Sequence, residues 1–195
     1  MTNQKIPIGF KELVDHYNKY YIESNMDFTP LFNSDKYRAF YIEQASLYKD
    51  LDSVKSVEFI ATHRKKVYFI ECKERNYETS KDSITIMDDL KLNPQDLYTK
   101  LHHSIDLFVA RQLKIGKHTN HTFEKELGNV SVLDTDFSKV NIFFYVVAKG
   151  ESFDKETCVK IRAALNKKLV PLLKIWNIHI EVITEEKARK NKMIV

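Results

Sequence analysis

Val54-Lys55-Ser56-Val57-Glu58-Phe59-Ile60-Ala61-Thr62, then His63-Arg64-Lys65-Lys66, then Val67-Tyr68-Phe69-Ile70-Glu71-Cys72-Lys73, is the stretch that decides the fold. Both flanking runs are short and rich in β-branched and aromatic residues. A polar, basic break separates them, which is the pattern of a β-hairpin. Side chains alternate between the two sides of a strand. Val67, Phe69, Glu71 and Lys73 therefore share one face, and Cys72 points to the other. Glu58 shares its face with Ile60 and Ser56. A hairpin that aligns these faces brings two carboxylates and an amine to one place.

Upstream, Phe10, Leu13, Val14, Tyr17 and Tyr21 recur at helical spacing and predict an opening amphipathic helix. Residues 25–33 contain Pro30 and read as a loop. Ser34 can cap a second helix with Tyr37, Phe40, Tyr41, Gln44, Leu47 and Tyr48 on its inward face. Downstream, residues 74–94 are polar and irregular, with Ile84-Thr85-Ile86-Met87 as a possible extra strand. Leu97, Leu101, Ile105, Phe108 and Val109 mark a helix to about Leu113. Residues 114–139 are again polar. Val140 to Val147 reads as a strand buried on both faces. Cys158, Ile161, Leu165, Leu169, Leu172 and Trp176 stripe a long helix that Pro171 should kink. Ile178 to Ile183 is a final strand, and residues 185–192 a charged tail.

The order is helices, hairpin, helix, strand, helix, strand. Strand–helix–strand alternation in the second half implies parallel pairing, and the hairpin adds an antiparallel part. The expectation is an α/β protein of the α+β kind, with a central mixed sheet and helices on both faces. Its 195 residues suit one domain over 1–195.

Composition narrows the function classes. A hydrophobic fraction of 43% and only four glycines and four prolines argue for a packed domain with long elements. Thirty-one basic against 27 acidic side chains give +4, which permits a phosphate-rich partner without demanding one. Two cysteines, Cys72 and Cys158, rule out a disulfide framework. No signal-like run opens the chain, and no stretch approaches the ~20 apolar residues of a membrane span. A soluble, cytoplasmic protein with no membrane partner is expected. Glycine-rich phosphate loops, Cys-x-x-Cys pairs and Gly-x-Ser-x-Gly elbows are all missing from the sequence.

Phosphodiester hydrolysis calls for the residue types that the hairpin gathers. Carboxylates hold Mg²⁺ or Mn²⁺ through hard oxygen ligands. Such a metal polarises phosphate and acidifies a bound water. A neighbouring lysine can orient that water and stabilise developing charge. The acid-x-Lys triplet recurs at Asp89-Leu90-Lys91 and Glu185-Glu186-Lys187. Its position after four apolar strand residues, behind a strand with an embedded acid, distinguishes Glu71-Cys72-Lys73. The plain alternative is an exposed hairpin with a cross-strand ion pair.

Val57-Glu58-Phe59-Ile60 followed by Val67-Tyr68-Phe69-Ile70-Glu71-Cys72-Lys73 resembles the PD-(D/E)xK nuclease core of restriction-endonuclease-like proteins. That family carries an acid on its second core strand and (D/E)-x-K on its third, followed by a helix and a further strand. The resemblance implies Glu58 and Glu71 as metal ligands and Lys73 as the catalytic lysine. It also implies the backbone carbonyl of Cys72 as a further ligand, with Glu43 as a supporting acid. The implied activity is a Mg²⁺- or Mn²⁺-dependent endonuclease or exonuclease acting on nucleic acid, most readily DNA. The chain departs from the pattern in having Glu58 where aspartate is usual, with no Pro-Asp pair. An inactive nuclease-fold binding module, as a homo-oligomer or a partner's subunit, is the alternative. Lys65, Lys66 and Lys100 are candidate nucleic-acid contacts, although an exposed helix face also accounts for Lys100. His118, His121 and Glu124 have helical metal spacing in a polar context that favours surface histidines.

Overall fold

A computed structural model describes residues 21–33, 36–42, 54–74, 93–113, 139–150 and 153–195. Their elements are β1 (Ile22–Glu23), β2 (Met26–Asp27), α1 (Thr29–Phe32), β3 (Arg38–Tyr41), β4 (Phe59–His63) and β5 (Lys66–Glu74). There follow α2 (Pro94–Gln112), β6 (Asn141–Lys149), α3 (Lys155–Lys168), α4 (Val170–Trp176), β7 (Ile178–Thr184) and α5 (Glu185–Lys190).

The predicted hairpin is β4–β5. Its strands pair antiparallel from Phe59↔Ile70 to His63↔Lys66. Arg64, in the turn, adopts φ 53°, the left-handed conformation that lets so short a connection close without glycine. The strand order is β3-β4-β5-β6-β7. The β3–β4 and β4–β5 pairs are antiparallel, whereas β5–β6 and β6–β7 are parallel. This is the mixed sheet expected, with the change of direction at β5.

Register carries the core across the sheet. Phe40, Ile60, Phe69, Phe144 and Ile180 are successive cross-strand partners and all lie in one buried layer. Leu97, Leu101, Ile105 and Phe108 of α2 and Ile161 and Leu165 of α3 cover that layer. The other face buries Tyr41, Phe59, Ile70 and Cys72 beneath Met26, Phe28 and Leu31 on one side and Ala188, Met193 and Ile194 on the other. Each wholly buried Phe or Ile contributes about 1.5–3 kcal/mol of transfer free energy. The layers so formed clamp β5, the strand that carries Glu71 and Lys73, from both sides.

Four sequence expectations are corrected. The helix foreseen from Ser34 is, over Arg38–Tyr41, the edge strand β3. Phe40 and Tyr41 fill opposite layers of the core, and that double burial imitates a helical stripe. Within the loop foreseen over 25–33, Ser24 and Asn25 (φ 50° and 54°) turn β1 into β2, and Pro30 lies in the first turn of α1. The kinked helix is broken outright at Leu169 (φ −95°, ψ 13°). Pro171 lacks the N–H that would continue the ladder and fits the first turn of the new helix instead. The charged tail is the helix α5, capped by Thr184 Oγ1 accepting from Lys187 N–H. The opening helix before Tyr21, the strand at 84–87, Glu43 and the His118/His121/Glu124 set lie outside the described residues. Among the described residues no helix is long and apolar enough to cross a membrane.

Candidate metal centre

β4 stops pairing with β5 at Phe59, but β5 runs on to Glu74 against β6. Residues 71–74 are thus hydrogen-bonded to a neighbouring strand on one side only. The segment ahead of β4 is redirected by two bonds. Val57 N–H donates to Ser104 Oγ of α2 at 3.0 Å, and Ile42 N–H donates to the Glu58 carbonyl at 2.9 Å. Lys55 N–H adds a bond to His103 Nδ1 at 3.2 Å. Strand pairing would have given Cys72 N–H a backbone partner. It donates instead to Glu58 Oε2 at 2.8 Å.

Glu58 and Glu71 therefore converge, as the alternation predicted. Both are buried, Glu58 at 4% exposure and Glu71 at 0%. Lys73 Nζ lies 2.7 Å from Glu71 Oε1. Lys100 Nζ, from α2, lies 2.8 Å from the same oxygen and 3.4 Å from Glu58 Oε1. Glu71 Oε2 is buried and has no hydrogen-bond partner. The N–H and C=O of an extended residue leave the same side of the strand. The Cys72 carbonyl thus faces the side on which its N–H meets Glu58.

Burial pushes the Glu58 carboxyl well above the ordinary carboxylate range, and the charge of Glu71 pushes it further. For Lys73, burial alone would lower the amine. The adjoining Glu71 carboxylate outweighs it and holds Lys73 above its ordinary value, so the side chain is an ammonium at neutral pH. Cys72 is buried in the opposite layer, and burial raises its thiol. It is no nucleophile for this site, in line with the alternation of the strand.

Lys65 and Lys66 are not part of this cluster. They stand at the far end of β5, and Lys66 is about 17 Å from Glu71 at ~3.3 Å per strand residue. Lys66 Nζ lies instead 5.4 Å from the Phe143 ring. Lys100, by contrast, has only 14% of its side chain exposed and faces the carboxylates, not open solvent. Ser104 and His103 were not singled out as positioning residues from sequence. Helical spacing puts residues 100 and 104 beside Leu97, Leu101, Ile105 and Phe108, but only the docking of α2 shows what they meet.

The donor set suits a hard divalent cation: two carboxylates, one of which keeps a buried oxygen without a hydrogen-bond partner, and one backbone carbonyl. Among the described residues no group of three or more His, Cys, Asp and Glu side chains surrounds a common point. A metal here would complete its coordination with water and substrate oxygen. No protein-family model matches the chain, and no similar curated protein or solved structure was found.

Proposed function

We propose that the chain is a divalent-metal-dependent nuclease built on a restriction-endonuclease-like core, hydrolysing phosphodiester bonds, most readily in DNA. The observation that carries this reading is the meeting of Glu58, Glu71 and Lys73 at the half-paired end of β5. Element order supports it: three antiparallel strands, a helix, then a parallel strand, with Glu58 immediately before the second strand and Glu-x-Lys on the third.

Glu58, Glu71 and the Cys72 carbonyl would hold Mg²⁺ or Mn²⁺. When bound, the metal supplies a Lewis acid for the phosphate and lowers the pKa of a water. The chain's own groups do the rest. Lys73 is 21% exposed at the mouth of the site and donates toward the attacking water or a phosphate oxygen. Its Glu71 partner fixes the direction of that amine. Ser104 and His103 hold the 55–58 segment so that Glu58 stays beside Cys72. The layer beneath, Phe69 and Leu101, keeps bulk water from the carboxylates' inner side.

A second reading, an inactive nuclease-fold module that binds nucleic acid or protein, is favoured by the Lys100 ammonium already lying across both carboxylates. One experiment separates the two. Mn²⁺ binding is measured by calorimetry on wild type and Glu71→Ala, and cleavage of a mixed DNA and RNA panel on wild type and Lys73→Ala. Binding lost in Glu71→Ala, with cleavage lost in Lys73→Ala, establishes the nuclease and its substrate. Absence of binding in both proteins, with no cleavage, removes the catalytic reading.

A further inference from the structure

We infer that Lys100 is a built-in cation that holds the place of the metal, so that divalent ions enter by displacing its ammonium from between Glu58 and Glu71. The inference rests on the metal-site reading above and concerns how that site is regulated.

The geometry is that of a bridging cation. Lys100 Nζ lies 2.8 Å from Glu71 Oε1 and 3.4 Å from Glu58 Oε1, and Cys72 N–H holds Glu58 by its other oxygen. Two acidic groups buried this close together are stabilised by a positive charge between them. Lys73 reaches only Glu71 among the two, so the bridge between the acids is made by Lys100. Glu71 Oε2 stays buried without a hydrogen-bond partner. A single ammonium thus leaves acceptor capacity in the site that a divalent ion would use.

The origin of Lys100 matters as much as its position. It comes from α2, whereas both carboxylates come from the hairpin. Its flexible four-carbon stem lets the ammonium withdraw without moving a strand. The helix itself stays seated through Leu97, Leu101 and Ile105. Displaced toward the open end of the site, the ammonium comes to lie beside Lys73, where a phosphate would be met. Entry of metal and presentation of a second positive charge to substrate are then one event. Apparent metal affinity is weakened by the competition and improves when an anionic substrate receives the released ammonium.

The test is Mn²⁺ calorimetry on wild type, Lys100→Met, Lys100→Gln and Glu71→Gln. Gln keeps a donor toward Glu71 without the charge and serves where Met leaves the protein unfolded. The expected result is Mn²⁺ binding on the order of tenfold tighter in the Lys100 variants, the scale on which neighbouring groups tune metal sites. Glu71→Gln should abolish it. Binding in the variants but not in wild type also supports the inference, as complete competition. Unchanged or weaker binding in the variants, with wild type binding and Glu71→Gln not, overturns it and leaves the metal site standing. Absence of binding in every protein overturns both. A second readout uses wild type alone. Acetic anhydride labelling of Lys100, shielded in the metal-free protein, should rise several-fold with Mn²⁺ relative to distant Lys174. Labelling that Mn²⁺ leaves unchanged contradicts displacement.

Discussion

Replacing Ser104 with alanine should destabilise the protein and loosen Glu58 together. Ser104 is fully buried on α2. Its hydroxyl accepts from Val57 N–H at 3.0 Å and donates to the Lys100 carbonyl at 2.7 Å. Val57 is itself fully buried, so its N–H would be left with neither protein nor water. An orphaned buried donor costs about 1–3 kcal/mol. The Lys100 carbonyl loses only a second bond within a helix, a small term. Alanine is the better helix former by up to ~0.5 kcal/mol, which leaves a net loss of roughly 0.5–2.5 kcal/mol. Urea unfolding followed by the single tryptophan, Trp176, measures it. Thr99→Ala is the matched control: Thr99 Oγ1 bonds the Gln95 carbonyl on the exposed side of the same helix and holds no strand segment. It should stay within about 0.5 kcal/mol of wild type. Ser104→Ala should also weaken Mn²⁺ binding, because the 55–58 segment is no longer pinned. Equal stability of the two variants would refute the idea that Ser104 sets where β4 leaves the sheet.

Other outcomes follow from the same geometry. Lys73→Met should lower cleavage by about 10²–10³-fold, the usual cost of one charge-stabilising donor, while Mn²⁺ binding persists in calorimetry. Glu58→Gln should make the metal-free protein more stable at neutral pH. The sign follows from a folded pKa held above the ordinary 4.5. In the wild type, the folded carboxyl keeps a proton that the unfolded chain releases, so its contribution is full below 4.5 and is lost as pH rises from there toward the folded value. Glutamine does not titrate, so unfolding curves with chelator present should converge for the two proteins near pH 4 and separate as pH rises; curves that stay parallel would contradict it. Leu101→Ala, under the sheet beside the site, should cost about 2–5 kcal/mol by the same urea assay.

The hairpin and its acids were legible because their signal is local. Alternation alone places Glu71 and Lys73 on one face and Cys72 on the other, whatever the rest of the chain does. Helix α2 and strands β6 and β7 were legible from runs long enough to show a period. β3 was not, since only Phe40 and Tyr41 of its four residues are buried, one in each layer, and two neighbours carry no period of their own. Lys100 is the most telling case. A lysine on an amphipathic helix reads as a solvated charge until the docking of that helix is known. Only the pairing of β4 with β5, and of α2 across both, turns it toward two carboxylates. The redirecting bonds of Ser104 and His103 depend on that docking as well.

The half-paired end of β5 also divides the folding reaction. Glu58 and Cys72 are 14 residues apart and meet through a hairpin, an event of about 1–10 μs. Phe69 must find Phe144 across the whole of α2 and the segment beyond it before β6 can lie down. Long closures of that kind are slow. The two acids are therefore gathered early, in a loose hairpin still open to water. Phe69 and Leu101 seal them from solvent only later, once the parallel strands arrive. Pulse-labelled hydrogen exchange should find the amides of Ala61 and Tyr68, which face each other across the hairpin, protected before those of Phe69 and Phe144, which face β6 and β7. On that order, metal ions present during refolding reach the carboxylates before the parallel strands close over them.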